Sequence, residues 1–313
     1  MEVLFFIKKE ETKWSYGRLF TNWANVLNME LIEDMKRIEH ASKLVDFIIA
    51  DDTLSITIAK RYQDLTPKII PYAQTLFGLN LLRKGKKGVV RRAASIFPFY
   101  ITSREYVANM KKFNVIFANS IGTSSLLHHL YNIYASYVVY PGIDDNKFRP
   151  TVSKKKQVLI YASAPYLPDI FDPIDLDATK KFVNASKELG YEIHSFGREL
   201  PFNANIIQHV NVSTQEVIDL YSSSVVTFTP QPLELFGLVP VESMFCGTPV
   251  ISTYYHEALK IGVNGEVFNS KNILNSIRLI SELDSTSVRS SVQNFNLNKS
   301  AKNLLNVLSN LRK

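Results

Sequence analysis

Glu234 and Glu242, with seven residues between them, are the two carboxylates of this chain whose surroundings set up chemistry. Val225 to Phe228 reads as a buried strand, because β-branched and aromatic residues cluster there. Gly237 permits a turn, Pro240 suits a first helical turn, and Gly247 ends the helix. Pro249 to Thr253 reads as the next strand. Glu234 is therefore expected in a loop and Glu242 on the short helix behind it. A helix start exposes unpaired amide hydrogens and partial positive charge, a natural seat for a phosphate. Carboxylates beside that seat repel a phosphate but accept hydrogen bonds from hydroxyls on either side of it. A nucleotide sugar has that layout, with a diphosphate centre flanked by a ribose and a hexose.

The elements that must position these residues belong to a long alternation of strands and helices, which predicts parallel sheets covered by helices. In the first half the candidate strands are Val3–Ile7, Asp46–Ala50, Lys68–Ala73, Val115–Ala118 and Tyr137–Tyr140. Helical stretches are expected over 16–27 and 32–44. The second series runs Val158–Ala162, Glu192–Phe196, Val225–Phe228 and Val250–Thr253. Between the two, Pro141 to Pro150 has turn chemistry and few packing residues. It predicts domains at 1–148 and 149–313, with the last helix a candidate to pack back on the first. A chain of 313 residues with 46% hydrophobic content has enough apolar material for two cores. Charged residues at 21% argue against disorder. The single cysteine, Cys246, excludes an intramolecular disulfide and fits a reducing compartment. No apolar run has the length of a membrane span, and the start of the chain lacks the features of a signal peptide. The expectation is a cytoplasmic protein.

The segment around the two glutamates resembles the Glu-seven-Glu signature of retaining glycosyltransferases with the GT-B fold, family four in particular. Glu234, Phe236, Gly237, Leu238, Glu242, Met244, Cys246, Gly247, Thr248, Pro249, Val250 and Ile251 carry the likeness. Leu235 departs from it, standing where the family usually has glycine, and Pro240 sits one place late. Pro141, Gly142, Ile143, Asp144, Phe148 and Pro150 resemble the family's hinge, and Glu257 with Val263 to Gly265 resembles its downstream pattern. The resemblance implies an α/β GT-B fold, two Rossmann-like domains facing across a cleft. The first would bind the acceptor and the second the nucleotide sugar. It implies transfer of a hexose, with retention, to a sugar, lipid-linked or other hydroxyl acceptor. Glu234 would face the donor sugar as a catalytic group. The amides of Phe236, Gly237 and Leu238 would hold the sugar or phosphates, and Glu242 the ribose hydroxyls.

Family members usually neutralise the diphosphate with an Arg and a Lys from the first loops of the second domain. Here the loop from Ala162 to Pro173 contains neither. Arg198, Lys180 and Lys181 are the nearest candidates for donor binding. Gln74 stands where many members place a histidine near the reacting centre. A glutamine hydrogen-bonds a hydroxyl but is no base near neutral pH, so the leaving phosphate would take the acceptor proton. Gly17 is a candidate for the family's first glycine-rich loop. These departures leave open a second reading, a catalytically weak sugar-nucleotide-binding protein on the same scaffold.

No carboxylate or histidine cluster with metal-ligand spacing stands out, so no metal or other cofactor is expected. Asp51 and Asp52 read as a helix cap or polar lining before metal ligands. The formal charge of +7 points to acidic partners. Six positive charges, Arg83, Lys84, Lys86, Lys87, Arg91 and Arg92, lie near Phe77, Phe97, Phe99 and Tyr100. The tract reads either as a solvated loop or as a peripheral contact with anionic lipid on the inner face of a membrane. Nothing resembles a nucleic-acid-binding module. The expected partners are the nucleotide sugar and a glycan or lipid-linked acceptor.

Overall fold

A computed structural model of the chain describes residues 1–7, 15–41, 44–73, 104–163, 174–202, 205–232 and 236–312. They form two compact units, one of residues 1–142 with 297–313 and one of residues 143–296. The sequence places its boundary after 148.

In the first unit the order is β1 (Val3–Phe6), α1 (Ser15–Leu27), β2 (Glu30–Ile32), α2 (Met35–Ala41), β3 (Phe47–Asp51), α3 (Asp52–Arg61) and β4 (Ile69–Ala73). A helix α4 over 104–110 follows, then β5 (Phe117–Ala118), α5 (Ile121–Tyr131) and β6 (Tyr137–Val138). The strands make one parallel sheet in the order β2-β1-β3-β4-β5-β6. β1 and β4 are buried along their whole length, which explains their unbroken apolar sequences: a parallel sheet is covered on both faces. The expected helix over 32–44 starts later than the sequence reading, because Glu30 to Ile32 pair with Leu4 to Phe6 as a short strand. That strand is specified by its partner, not by its own three residues.

The second unit holds β7 (Gln157–Ala162), α6 (Leu176–Glu188), β8 (Glu192–Gly197), β9 (Ile207–His209), α7 (Thr214–Ser223) and β10 (Val226–Thr229). It continues with α8 (Leu238–Phe245), β11 (Val250–Ser252), β12 (Gly265–Val267), α9 (Ile273–Ser281) and α10 (Ser285–Ser291). Its sheet is again parallel, in the order β12-β11-β10-β7-β8-β9. The strands β9 and β12 are three-residue edge strands that the sequence reading did not anticipate. Phe182 of α6 stacks on Phe228 of β10, with centroids 4.4 Å apart and planes at 8°, at the centre of this core.

The last helix, α11 (Leu297–Leu311), belongs to the first unit. Its Leu297, Ala301, Leu304, Val307 and Leu308 recur on one helical face and pack into the core of Phe5, Phe20, Trp23 and Tyr72. Trp23 Nε1 donates to Ser300 Oγ at 3.0 Å, and that hydroxyl donates to the Tyr140 carbonyl at 2.6 Å.

Candidate functional site

In each sheet the strand order reverses about one strand, and ligands of open α/β sheets bind beyond the carboxyl ends at such a switch point. In the second unit the switch lies between β7, followed on one side by β8, and β10 on the other. Along β10, Phe228 faces the core side, so the two-residue period puts Thr227 and Thr229 on the opposite face. There Ser243 of α8 donates its hydroxyl to Thr227 Oγ1 at 2.8 Å, which ties α8 to this face of β10.

The turn into α8 is built on Gly237. Its φ of +76° is a left-handed value, and an added Cβ would lie 2.6 Å from the Tyr254 hydroxyl. No side chain of the Gly237 N-cap bonds the first amides of α8, whereas the capping side chains of Asp51, Ser120, Asp175 and Ser213 bond those of α3, α5, α6 and α7. Leu238 is the first residue of α8, and Phe236 is buried with its ring 5.3 Å from that of Phe295. Glu242 lies on α8 and is only 5% exposed. Glu234 lies outside the described residues. At the far end of α8, the Arg289 guanidinium donates to the carbonyl of Phe245, and to those of Asp145 and Phe148 at 2.7 and 2.8 Å. A cation there complements the negative end of the helix. Burial, with Glu242 nearby, pushes the Cys246 thiol up to about 12, so this cysteine is a packed side chain and no nucleophile.

The other donor candidates lie at different places. Arg198 follows β8, and its amide donates to the Ser163 carbonyl at 3.1 Å. Gly197, at φ +106°, is required there, because a Cβ would come within 2.1 Å of that carbonyl oxygen. The carboxyl ends of β7 and β8 are thereby locked together. Lys181 pairs with Asp177 at 2.9 Å on the surface of α6, and Lys180 lies 5.8 Å over the Phe202 ring. Exposed pairs of this kind contribute little, about 0–1 kcal/mol.

In the first unit the switch lies between β1 and β3, and the carboxyl end of β3 carries the Asp51-Asp52 pair. Asp51 Oδ1 caps α3, accepting from the amides of Thr53 and Leu54 at 2.9 and 3.1 Å. Asp52 is buried, and its Oδ2 accepts from the Tyr106 hydroxyl at 2.8 Å. Burial, then the Asp51 charge, push the Asp52 carboxyl up to about 7. Gly17 lies inside the first turn of α1, where the Thr21 hydroxyl donates to its carbonyl at 2.8 Å. Gln74 and the basic tract lie outside the described residues. Among the described residues no three His, Cys, Asp or Glu side chains converge as metal ligands. No described helix is long and apolar enough to cross a membrane.

Sequence reasoning missed Gln231 and His256. Both are nearly inaccessible, at 2% and 1% exposure, and both follow strands at the carboxyl edge of the second sheet. Their only signal in sequence is position: each stands a few residues past an apolar strand, beside the glutamate motif.

Residues 188–298 match the family model described as glycosyl transferases group 1. No curated protein matches the chain by sequence. Among solved structures, the sucrose-phosphate synthase of Thermosynechococcus elongatus superposes with a TM-score of 0.74 at 13% identity, covering 99% of both chains. Anabaena HepE in complex with UDP gives 0.72 at 14% identity, over 99% of this chain and 100% of that one. WaaG, a glycosyltransferase involved in lipopolysaccharide biosynthesis, gives 0.66 at 13%, over 97% and 99%. At such identities the likeness is one of fold. By fold this chain is GT-B, and by sequence its residues 188–298 match the glycosyl transferases group 1 model.

Proposed function

We propose that the protein is a retaining glycosyltransferase that moves a hexose from a nucleoside diphosphate sugar to a hydroxyl acceptor. The observation that carries this is the Gly237 turn: a glycine at the N-cap offers no side chain to the first α8 amides at the switch point, and buried Glu242 lies on the same helix. The match of residues 188–298 to the group 1 model supports it, as does a similar fold seen with UDP in Anabaena HepE. Glu242 binds the ribose hydroxyls. Glu234 and the amides of residues 236–238 hold the sugar and stabilise charge as the glycosidic bond loosens. Arg198, which follows β8, is assigned to the diphosphate, with Lys180 and Lys181 as weaker candidates. The first unit binds the acceptor, with Gln74 as a hydrogen-bonding contact.

The chemistry needs no divalent metal, since fixed amides take the place of a cation at the diphosphate. The test is transfer from radiolabelled nucleotide sugars to cell-derived glycan and lipid acceptors, with and without excess chelator. Activity should survive chelation. A collapse that magnesium or manganese restores would overturn the metal-free mechanism, and labelled sugar appearing in no acceptor would overturn transfer itself.

The acceptor is assigned to a membrane surface. The six charges from Arg83 to Arg92 lie beside aromatic residues, and each basic residue near anionic lipid contributes about 1 kcal/mol. Sedimentation with anionic vesicles should carry the protein down at low salt and release it at high salt. Neutral vesicles should not bind. Protein that ignores anionic vesicles at low salt would make the tract a solvated loop.

A further inference from the structure

Four polar atoms at the carboxyl edge of the second sheet are buried with no hydrogen-bond partner among the described residues: Thr229 Oγ1, Gln231 Oε1, and both ring nitrogens of His256. Buried polar atoms are nearly always paired, and each orphan disfavours the folded state. These four come from two neighbouring strands. Thr229 ends β10 on the face occupied by α8, and Gln231 follows it by two residues. His256 lies in the loop after β11, which Thr253 ties to Gln231 by donating to the Gln231 carbonyl at 2.7 Å. The His256 ring is 5.5 Å from the Tyr254 ring, whose hydroxyl covers Gly237 at the start of α8. The orphans thus adjoin the start of α8 through a short chain of contacts.

The direction of Gln231 is fixed. Its Nε2 reaches 3.5 Å from the Tyr161 carbonyl of β7, so the amide spans the switch between β10 and β7. Turning the amide over would set oxygen against oxygen, so the amide points its Nε2 at Tyr161 and leaves Oε1 as the orphan. An orphan acceptor needs a donor. A phosphate at neutral pH accepts only, whereas a sugar hydroxyl donates and accepts.

We infer that Gln231 and His256 are hydrogen-bonding contacts for hydroxyl groups of a nucleoside diphosphate sugar seated at the start of α8. The inference rests on the donor reading above. Burial holds the His256 imidazole near a pKa of about 4, so it is neutral and offers one N–H donor and one nitrogen acceptor, the pairing a hydroxyl takes. Neither group supplies charge to the diphosphate. Both act on the uncharged parts of the donor, where a lost contact changes which sugar is held.

The two roles of a buried orphan pull in opposite directions, which makes the test specific. Gln231→Leu and His256→Phe keep shape and remove the polar atoms. Each is read separately, so that failure of one to fold leaves the other. Thermal midpoints of the free protein and calorimetric Kd values are measured for adenosine, guanosine and uridine diphosphates and for their glucose conjugates, with Glu242→Ala as a reference. Each variant should melt no lower than wild type, yet bind the preferred nucleotide sugar about tenfold more weakly. Weakening confined to the glucose conjugate assigns the contact to the hexose, and equal weakening of the bare diphosphate assigns it to the ribose. Variants that melt lower and bind as wild type would overturn the inference, since the groups would then serve the fold alone. If Glu242→Ala loses binding while both variants keep it, the inference fails and the donor reading stands. If wild-type protein binds none of these ligands, the donor reading fails first.

Discussion

Glu242→Ala is expected to weaken nucleoside diphosphate binding by about a hundredfold, while Glu234→Ala leaves that affinity nearly intact and lowers turnover. The difference follows from position. Glu242 is a buried carboxylate on α8, behind the turn assigned to the diphosphate. A carboxylate that accepts from two ribose hydroxyls makes two charge-assisted bonds, each contributing about 1.5–3 kcal/mol, and 1.4 kcal/mol is tenfold in Kd. Glu234 is assigned to the sugar, where an interaction that strengthens as the bond loosens lowers kcat when removed. Calorimetry with the bare diphosphate isolates the first effect, and steady-state turnover at saturating donor isolates the second. Unchanged Kd in Glu242→Ala, with the fold intact by circular dichroism, would remove Glu242 from the nucleotide site. Full activity in both variants would remove the motif from the chemistry.

The second large effect concerns the first unit. Asp52→Asn should stabilise the protein above neutral pH, and the gain should shrink as pH falls toward 4. In the folded chain burial raises the Asp52 carboxyl from 3.8 to about 7, so between those values the folded state binds a proton that the unfolded state has lost. Stability then falls as pH rises through this window, and above about 7 the folded protein carries an ionised, buried carboxylate. A rise of that size has an upper bound of about 4 kcal/mol, at 1.36 kcal/mol per pH unit. Asparagine keeps an acceptor for the Tyr106 hydroxyl and adds no charge. Urea unfolding of both proteins at pH 5 and pH 8 measures the gap. A gap that does not widen with pH would mean that Asp52 is solvated in the native state.

The features legible in the sequence are those that depend on local pattern. β7, β10 and β11 were readable because parallel strands buried on both faces are runs of apolar and β-branched residues. The turn at Gly237 and the helix behind it were readable because a left-handed turn and a first-turn proline leave a signature in a few residues. Asp51 was readable as a cap for the same reason. What escaped was whatever a distant residue decides. Asp52 becomes a poor acid because the folded chain buries it beside Asp51, even though the Tyr106 hydroxyl from 54 residues on donates to it. The last carbonyl of α8 is capped by Arg289, 44 residues on. Lys154 sits in an exposed basic tract, yet it donates to the Ser224 carbonyl at 2.7 Å, a partner 70 residues away. Gln231 and His256 are ordinary side chains in sequence, and only tertiary packing makes their polar atoms orphans.

The return of α11 gives the molecule the layout of a host with a guest inserted in it. The chain leaves the first unit after Gly142 and re-enters it at Leu297, and the two crossing points touch. The Ile143 amide donates to the Phe295 carbonyl at 2.9 Å, Ile143 bridges to Asn296, and a Cβ on Gly142 would lie 2.7 Å from the Leu297 Cα. The ends of the guest are therefore adjacent, as the ends of transplantable domains usually are. If the second unit takes the donor as proposed, a chimera that exchanges donor preference is best made by grafting residues 143–296 as one cassette into a recipient. A simple fusion at 142 would orphan the Trp23 and Phe20 pocket that α11 fills.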